Sequence, residues 1–217
     1  MIRRKSLEIC LLGFLILSVG CVSPPKNTLR AGSPEDLPGC YAIFPAEPWE
    51  SVYRIEATIR RGSSSLLGVT KGEPLECRLH SVLLTPEGFI LFDAELSESG
   101  IAVRKAVPPF DSPAFARGLM EDVSLLFLPP QVKPTAWGKG PDGTMACHWE
   151  GPDNSRTETT GSMGSGWRIL RRDKYGKVIK EVVLNGPFIN GLASRVELRA
   201  FKPTSYKFQM TLVQSSP

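Results

Sequence analysis

Apolar and polar residues alternate with a period of two along several stretches of this chain, and each stretch predicts a β-strand with one dry face. Tyr53, Ile55, Ala57 and Ile59 alternate with Arg54, Glu56, Thr58 and Arg60. Arg61-Gly62-Ser63 then turns the chain into a second strand over residues 65–70. Leu75, Cys77 and Leu79 alternate with Glu76, Arg78 and His80, and the run continues to Leu84. Pro86 and Gly88 suit a tight turn. Residues 89–94 are apolar on both faces as far as Asp93, and residues 101–107 form a fifth strand after Ser99-Gly100. Five strands joined by short turns make an antiparallel meander.

The period then changes. Ser112-Pro113 reads as a helix N-cap with proline in the first turn. Phe115, Leu119, Val123 and Leu126 recur at helical spacing, and Pro129-Pro130 stops the run. Residues 123–128 also fit a short buried strand. Residues 131–145 are turn-rich, 145–149 fit a short strand, and 151–166 read as a polar, mobile loop with a strand near 156–160. Residues 167–172, 178–184, 194–201 and 206–212 give a second meander. Val196, Leu198 and Ala200 alternate there with Arg195, Glu197 and Arg199, and Tyr206, Phe208, Met210 and Leu212 with Lys207, Gln209 and Thr211.

One amphipathic helix is little cover for roughly ten one-sided strands, so the sheet is expected to curl. The class is mainly β with some α: a curled antiparallel sheet or half-open β-barrel with a short helical lid. The residues expected on the groove face are Tyr53, Ile55, Ile59, Leu79, Phe89, Leu91, Ile101, Val103, Phe115, Leu119, Val123, Trp167, Ile169, Val196, Leu198, Tyr206 and Phe208. They fit a cavity or a closed core equally well. Phe188 and Ile189 sit in the run Asn185-Gly186-Pro187-Phe188-Ile189-Asn190-Gly191. They read either as an apolar loop that touches a membrane or as a loop that plugs the barrel end.

The N-terminus has its own pattern. Arg3, Arg4 and Lys5 precede an apolar run over residues 9–19, then Gly20 and Cys21. A spanning helix needs about 20 apolar residues, so this run is a secretory signal over residues 1–20. Leu17-Ser18-Val19-Gly20-Cys21 resembles the lipobox of bacterial lipoprotein precursors, with Ser18 where that pattern prefers leucine. The resemblance implies cleavage after Gly20 and acylation of Cys21, which anchors the chain in a membrane. Val22 in place of an aspartate points, on the same resemblance, to the outer membrane and a periplasm-facing domain. Six prolines between 22 and 48 read as a tether over 21–48, its last part from about Cys40 packing on a body of 49–217.

Charge removes some classes. The whole chain has 26 basic and 22 acidic residues. Arg3, Arg4, Lys5 and Glu8 leave with the signal, so the near-neutral remainder is no nucleic-acid footprint. Of the cysteines, Cys40, Cys77 and Cys147 stay in an oxidising compartment. If the first three strands run up, down and up, Cys40 and Cys77 lie at one end, and that pair is the expected disulfide. His80 and His148 have no metal-ligand spacing, the Asp93/Glu95 pair reads as a solvated strand end, and no nucleophile–base set occurs. No enzyme activity, metal or cofactor is expected.

The order of elements resembles the LolA/LolB-like proteins of the bacterial envelope over roughly residues 50–213, including the closing run from Tyr175-Gly176-Lys177-Val178 to Tyr206-Lys207-Phe208. The resemblance implies an open barrel that carries a lipid or an acylated protein. The other reading is an anchored accessory lipoprotein of an envelope assembly, with a closed core and a protein partner instead of a ligand.

Overall fold

A computed structural model describes residues 32–59 and 62–217. The signal, Cys21 and the tether as far as residue 31 fall outside the described residues. Twelve strands form a single antiparallel sheet in the order β5-β4-β3-β2-β1-β12-β11-β10-β9-β8-β7-β6. The first meander is β1 (Trp49–Ile59), β2 (Gly62–Glu73), β3 (Arg78–Leu84), β4 (Ile90–Ser97) and β5 (Gly100–Ala106). Helix α1 (Pro113–Phe127) follows. The second meander is β6 (Ala136–Lys139), β7 (Met145–Glu150), β8 (Arg156–Ser162), β9 (Gly166–Arg172), β10 (Val178–Ile189), β11 (Leu192–Ala200) and β12 (Tyr206–Ser216). Each neighbour pair is consecutive in sequence except β1 and β12, which join the meanders with Tyr53 opposite Leu212 and Ala57 opposite Phe208. The sheet curls without closing, and β5 and β6 are its two edges.

Helix α1 links those edges in sequence and lies in the concave face. The expected cap is present: Ser112 Oγ accepts from the Phe115 N–H at 3.2 Å, and Pro113 opens the helix. The helix persists to Phe127, so residues 123–128 are not a strand. The buried apolar residues are Ala116, Met120, Val123, Leu126 and Phe127, so Val123 and Leu126 of the predicted stripe are buried while Phe115 and Leu119 give way to Ala116 and Met120. The apolar surface of this helix is wide, and Phe127 decides its rotation by packing on Trp49 at 4.7 Å and Tyr53 at 6.0 Å between ring centres. Phe115 is left on the flank, 41% exposed, against Phe110 at 5.1 Å.

Room for those rings comes from the inner face of β2, which carries Gly68, Thr70 and Gly72. Trp49 lies opposite Gly72, where a Cβ would fall 2.4 Å from the indole. Tyr53 is fully buried and its hydroxyl donates to the Ala193 carbonyl at 2.7 Å. Burial pushes this phenol far above its usual 10.0. A raised folded-state pKa gives stability that is complete below the unfolded value and lost as pH rises above it. In alkaline titration of unfolding Tyr53 is therefore expected to contribute a fall of about 1.4 kcal/mol per pH unit above pH 10, and that share of the slope is expected to disappear in Tyr53→Phe.

The body begins before residue 49. A short 3-10 segment, Pro34–Cys40, packs along the β6 edge. There Trp137 Nε1 donates to the Ser33 carbonyl at 3.0 Å and Lys139 pairs with Asp36 at 2.8 Å. Ile43 and Phe44 are buried, so residues 33–48 belong to the packed body. The outer face of the sheet is charged, with cross-strand pairs such as Lys71–Glu50 and Arg172–Glu158, each contributing little to stability.

Candidate functional site

The residues expected to line a groove are mostly core. Tyr53, Ile55, Leu79, Val123, Trp167, Ile169, Val196 and Leu198 are buried together under α1 and the N-terminal arm. Tyr206 and Phe208 are half-buried neighbours, 4.9 Å apart, and Leu119 packs at the margin of the same cluster. The remainder depart from expectation. Phe89 is 71% exposed in the turn before β4, where its carbonyl accepts from the Thr85 N–H at 2.9 Å. Leu91 falls in the opposite phase to the buried Phe92 and Ala94. A run apolar on both faces carries no phase, so the sequence could not choose between Leu91 and Phe92. Ile59 ends β1 beyond the reach of the helix and is exposed. Ile101 and Val103 share a phase on edge strand β5, and both stay exposed there.

Phe188 and Ile189 are not in a loop. β10 continues to Ile189 past a bulge between Asn185 and Phe188, and Asn190-Gly191, both at positive φ, make the two-residue hairpin turn into β11. The adjacent Asn-Gly was the signal for it. Phe188 packs against the core and Ile189 stays 46% exposed at the tip. The glycine-rich run 161–166 is likewise a hairpin, between β8 and β9.

The expected Cys40–Cys77 disulfide is corrected. Cys40 is bonded to Cys147 of β7, with Cα atoms 5.7 Å apart, and Cys77 is a thiol. The arm crosses to the far flank of the sheet rather than staying beside the first meander. Cys77 sits in a left-handed turn before β3, its Sγ donating to Gln131 Oε1 at 2.8 Å.

A cleft of about 860 Å³ lies beside α1. One wall is the helix and its continuation: Met120, Glu121, Ser124 and Leu125, then Leu128, Pro129, Pro130 and Gln131. The end of β4 and start of β5 add Leu96, Ser97, Glu98 and Ile101. The opposite wall is Asp153, Ser155 and Thr157 from the start of β8, and Arg171, Asp173, Lys174, Ile179 and Lys180 around the β9–β10 hairpin. In a flat sheet these two sets would lie at opposite ends, as the registers from β4 to β9 require. Twist brings them together. Adjacent strands rotate by roughly 20–25°, and seven steps separate β4 from β9, so the far end of one arrives beside the near end of the other. Of the predicted groove residues only Ile101 lines this cleft.

At its base is a polar cluster that joins the helix to the second meander. Asp122 of α1 is buried, paired through Oδ1 with Lys180 Nζ of β10, and accepts through Oδ2 from the Tyr206 hydroxyl of β12. Burial raises the Asp122 carboxyl above its ordinary range against the pull of Lys180 and Tyr206. Burial first, then the Asp122 charge, raises the Tyr206 phenol. A lysine in phase with buried Val182 and Leu184 was the sequence signal for this pair.

The expected solvated carboxylates are tied up. Asp93 Oδ1 lies 2.8 Å from His80 Nε2, and Glu95 pairs with Arg104. Burial lowers the His148 pKa. Among the described residues no three His, Cys, Asp or Glu side chains gather as a metal set, and no helix is long and apolar enough to cross a membrane.

No protein-family profile matches the sequence, and no curated protein matches it. Among solved structures the chain is similar to a LolA superfamily protein from Nitrosomonas europaea, with a TM-score of 0.54 at 8% identity over 86% of this chain and 94% of that one. An outer membrane lipoprotein-sorting protein domain from Vibrio parahaemolyticus and a DUF1329 family protein from Desulfovibrio piger have TM-scores of 0.41, at 8% and 9% identity, over 84% and 83% of this chain and 90% of each of theirs. The fold is LolA-like: a curled antiparallel sheet, open along one side, with a helix in its concave face.

Proposed function

We propose that the chain is an outer-membrane lipoprotein facing the periplasm, anchored through acylated Cys21, that binds a lipid or an acylated protein by taking an acyl chain into the cleft beside α1. The cleft carries this reading. Its volume of about 860 Å³ lies within the range of about 300–1,000 Å³ typical of small-molecule sites. Its floor is apolar, from Leu96 and Ile101 across to Leu125, Leu128 and Ile179. Each methylene buried there would contribute about 0.8 kcal/mol. The LolA-like fold and the lipobox-like run ending at Cys21 support the same reading. Ile189, exposed at the β10–β11 tip, is the residue we assign to membrane contact, with Phe188 as its core-packed support.

Native mass spectrometry of the full-length chain from a bacterial host tests it. The expected result is a covalent diacylglyceryl and acyl mass at Cys21, with a further non-covalent lipid mass. Leu125→Asp, which places a carboxylate on the apolar floor, is expected to weaken or remove the non-covalent mass while the covalent mass at Cys21 stays. A chain free of non-covalent lipid that also ignores added acylated peptides would sink the proposal. The packing of Trp49 and Tyr53 against Phe127 favours a second reading, an anchored accessory protein with a filled interior. Its signature is a co-purifying envelope protein without lipid.

A further inference from the structure

The charged residues of the cleft are unevenly disposed. Three cations, Arg171, Lys174 and Lys180, stand on the β9–β10 wall. The two carboxylates on that side are turned into their own turns. Asp153 Oδ1 accepts from the Ser155 N–H at 3.1 Å, and Asp173 Oδ1 from those of Tyr175 at 3.0 Å and Lys177 at 2.9 Å. Glu98 and Glu121 stand across the cleft on exposed positions. Arg171 is half-buried, and its Nη1 donates to Thr157 Oγ1 at 2.8 Å, which fixes the plane of the guanidinium and leaves its other donors uncommitted. Among the described residues neither Arg171 nor Lys174 forms an ion pair with a carboxylate. Lys180 is paired with Asp122, but the side chain is 12% exposed on the cleft wall, and Asp122 keeps Tyr206 as a second partner. Between this cationic wall and the helix lies the apolar floor.

We propose that the cleft selects acyl chains that end in an anion, a carboxylate or a phosphate monoester, with the anion held by Arg171 and Lys180 and the chain laid on Leu125, Leu128 and Ile179. This inference rests on the cleft being the acyl site. A guanidinium presents parallel donors that match either anion, and the half-enclosed apolar surroundings screen its charge less than water does. A chain ending in a neutral hydroxyl would leave Arg171 desolvated without return, and that difference is the source of the discrimination.

The full-length chain in neutral phosphatidylcholine vesicles, at mildly alkaline pH, would be exposed to three photoreactive diazirine probes of matched chain length: a fatty acid, its alcohol, and a lysophosphatidic acid. Labelled peptides are then located by mass spectrometry. A hydrogen bond to a charged group contributes about 1.5–3 kcal/mol, so labelling of the α1 and β10 peptides should favour an anionic probe over the alcohol by at least about tenfold. The fatty acid and the lysophosphatidic acid separate the two anion sources, and a preference for either supports the proposal. Arg171→Gln should cut the preference to below about threefold, and Arg171→Lys should restore part of it, with tryptophan fluorescence reporting that both fold. Equal cleft labelling by acid and alcohol overturns this inference while the acyl-binding reading stands. No labelling of the cleft by any probe overturns that reading itself.

Discussion

Lys180→Met is expected to destabilise the folded chain by about 3–5 kcal/mol, although it removes a single charge at the margin of the core. The loss comes from what it leaves behind. Asp122 is buried between α1 and the sheet, and without Lys180 its charge is met by the Tyr206 hydroxyl alone. The reverse change is milder. Asp122→Asn strands an ammonium that lies on the cleft wall and can swing into water, whereas the Asp122 carboxylate cannot leave the helix–sheet interface. The double variant Asp122→Asn/Lys180→Met removes both charges and should recover most of the stability lost in Lys180→Met. Urea unfolding followed by tryptophan fluorescence measures all three. A double variant no more stable than Lys180→Met would show that the pair does not govern the helix. The pH dependence has a definite sign. Because burial raises the folded-state pKa of Asp122, the folded chain holds that proton more tightly than the unfolded chain does. The associated stability is present at low pH and lost as pH rises through the raised pKa. The deficit of Lys180→Met should therefore shrink on acidification.

Loss of the Cys40–Cys147 bond should be the other large effect. The cysteines are 107 residues apart, and closing a loop of about 100 residues removes unfolded-state entropy equivalent to about 4.7 kcal/mol. The double variant Cys40→Ser/Cys147→Ser is expected to lose most of that, and reduction of the native chain should lower its urea midpoint comparably. The bond also holds the arm on β7, so residues 33–48 should become the first site of proteolysis in the reduced chain. A midpoint indifferent to reductant would contradict the assignment.

The strands could be read from the sequence wherever one face is dry and the other charged, as in β1, β11 and β12. α1 could be read from Ser112-Pro113 and the prolines that end it. β6 could not: four residues, Ala136–Lys139, hold too little pattern to show a period. The phase of β4 was hidden because both faces are apolar. The first three strands could not show the true disulfide, because the arm crosses to the second meander and meets Cys147 there. The cleft was invisible for a deeper reason. Residues that show clean alternation are the ones the fold covers, so they predicted the core. The cleft is lined by strand ends and turns that twist alone brings together, and Ile101 is the one predicted groove residue among them. Lys180, in phase with Val182 and Leu184, and Asp122, within the apolar surface of α1, were the two irregularities that could have pointed there.

The pairing of β1 with β12 bears on how the chain is made. Among the described residues it is the one strand pairing between the two meanders, and its partners, such as Tyr53 and Leu212, stand at opposite ends of the sequence. A nascent chain can assemble local hairpins as each emerges, but it cannot complete the sheet until β12 has been synthesised. Long-range pairing of this kind also slows folding. Nearly the whole polypeptide must therefore be made before the pairing that unites the sheet can form.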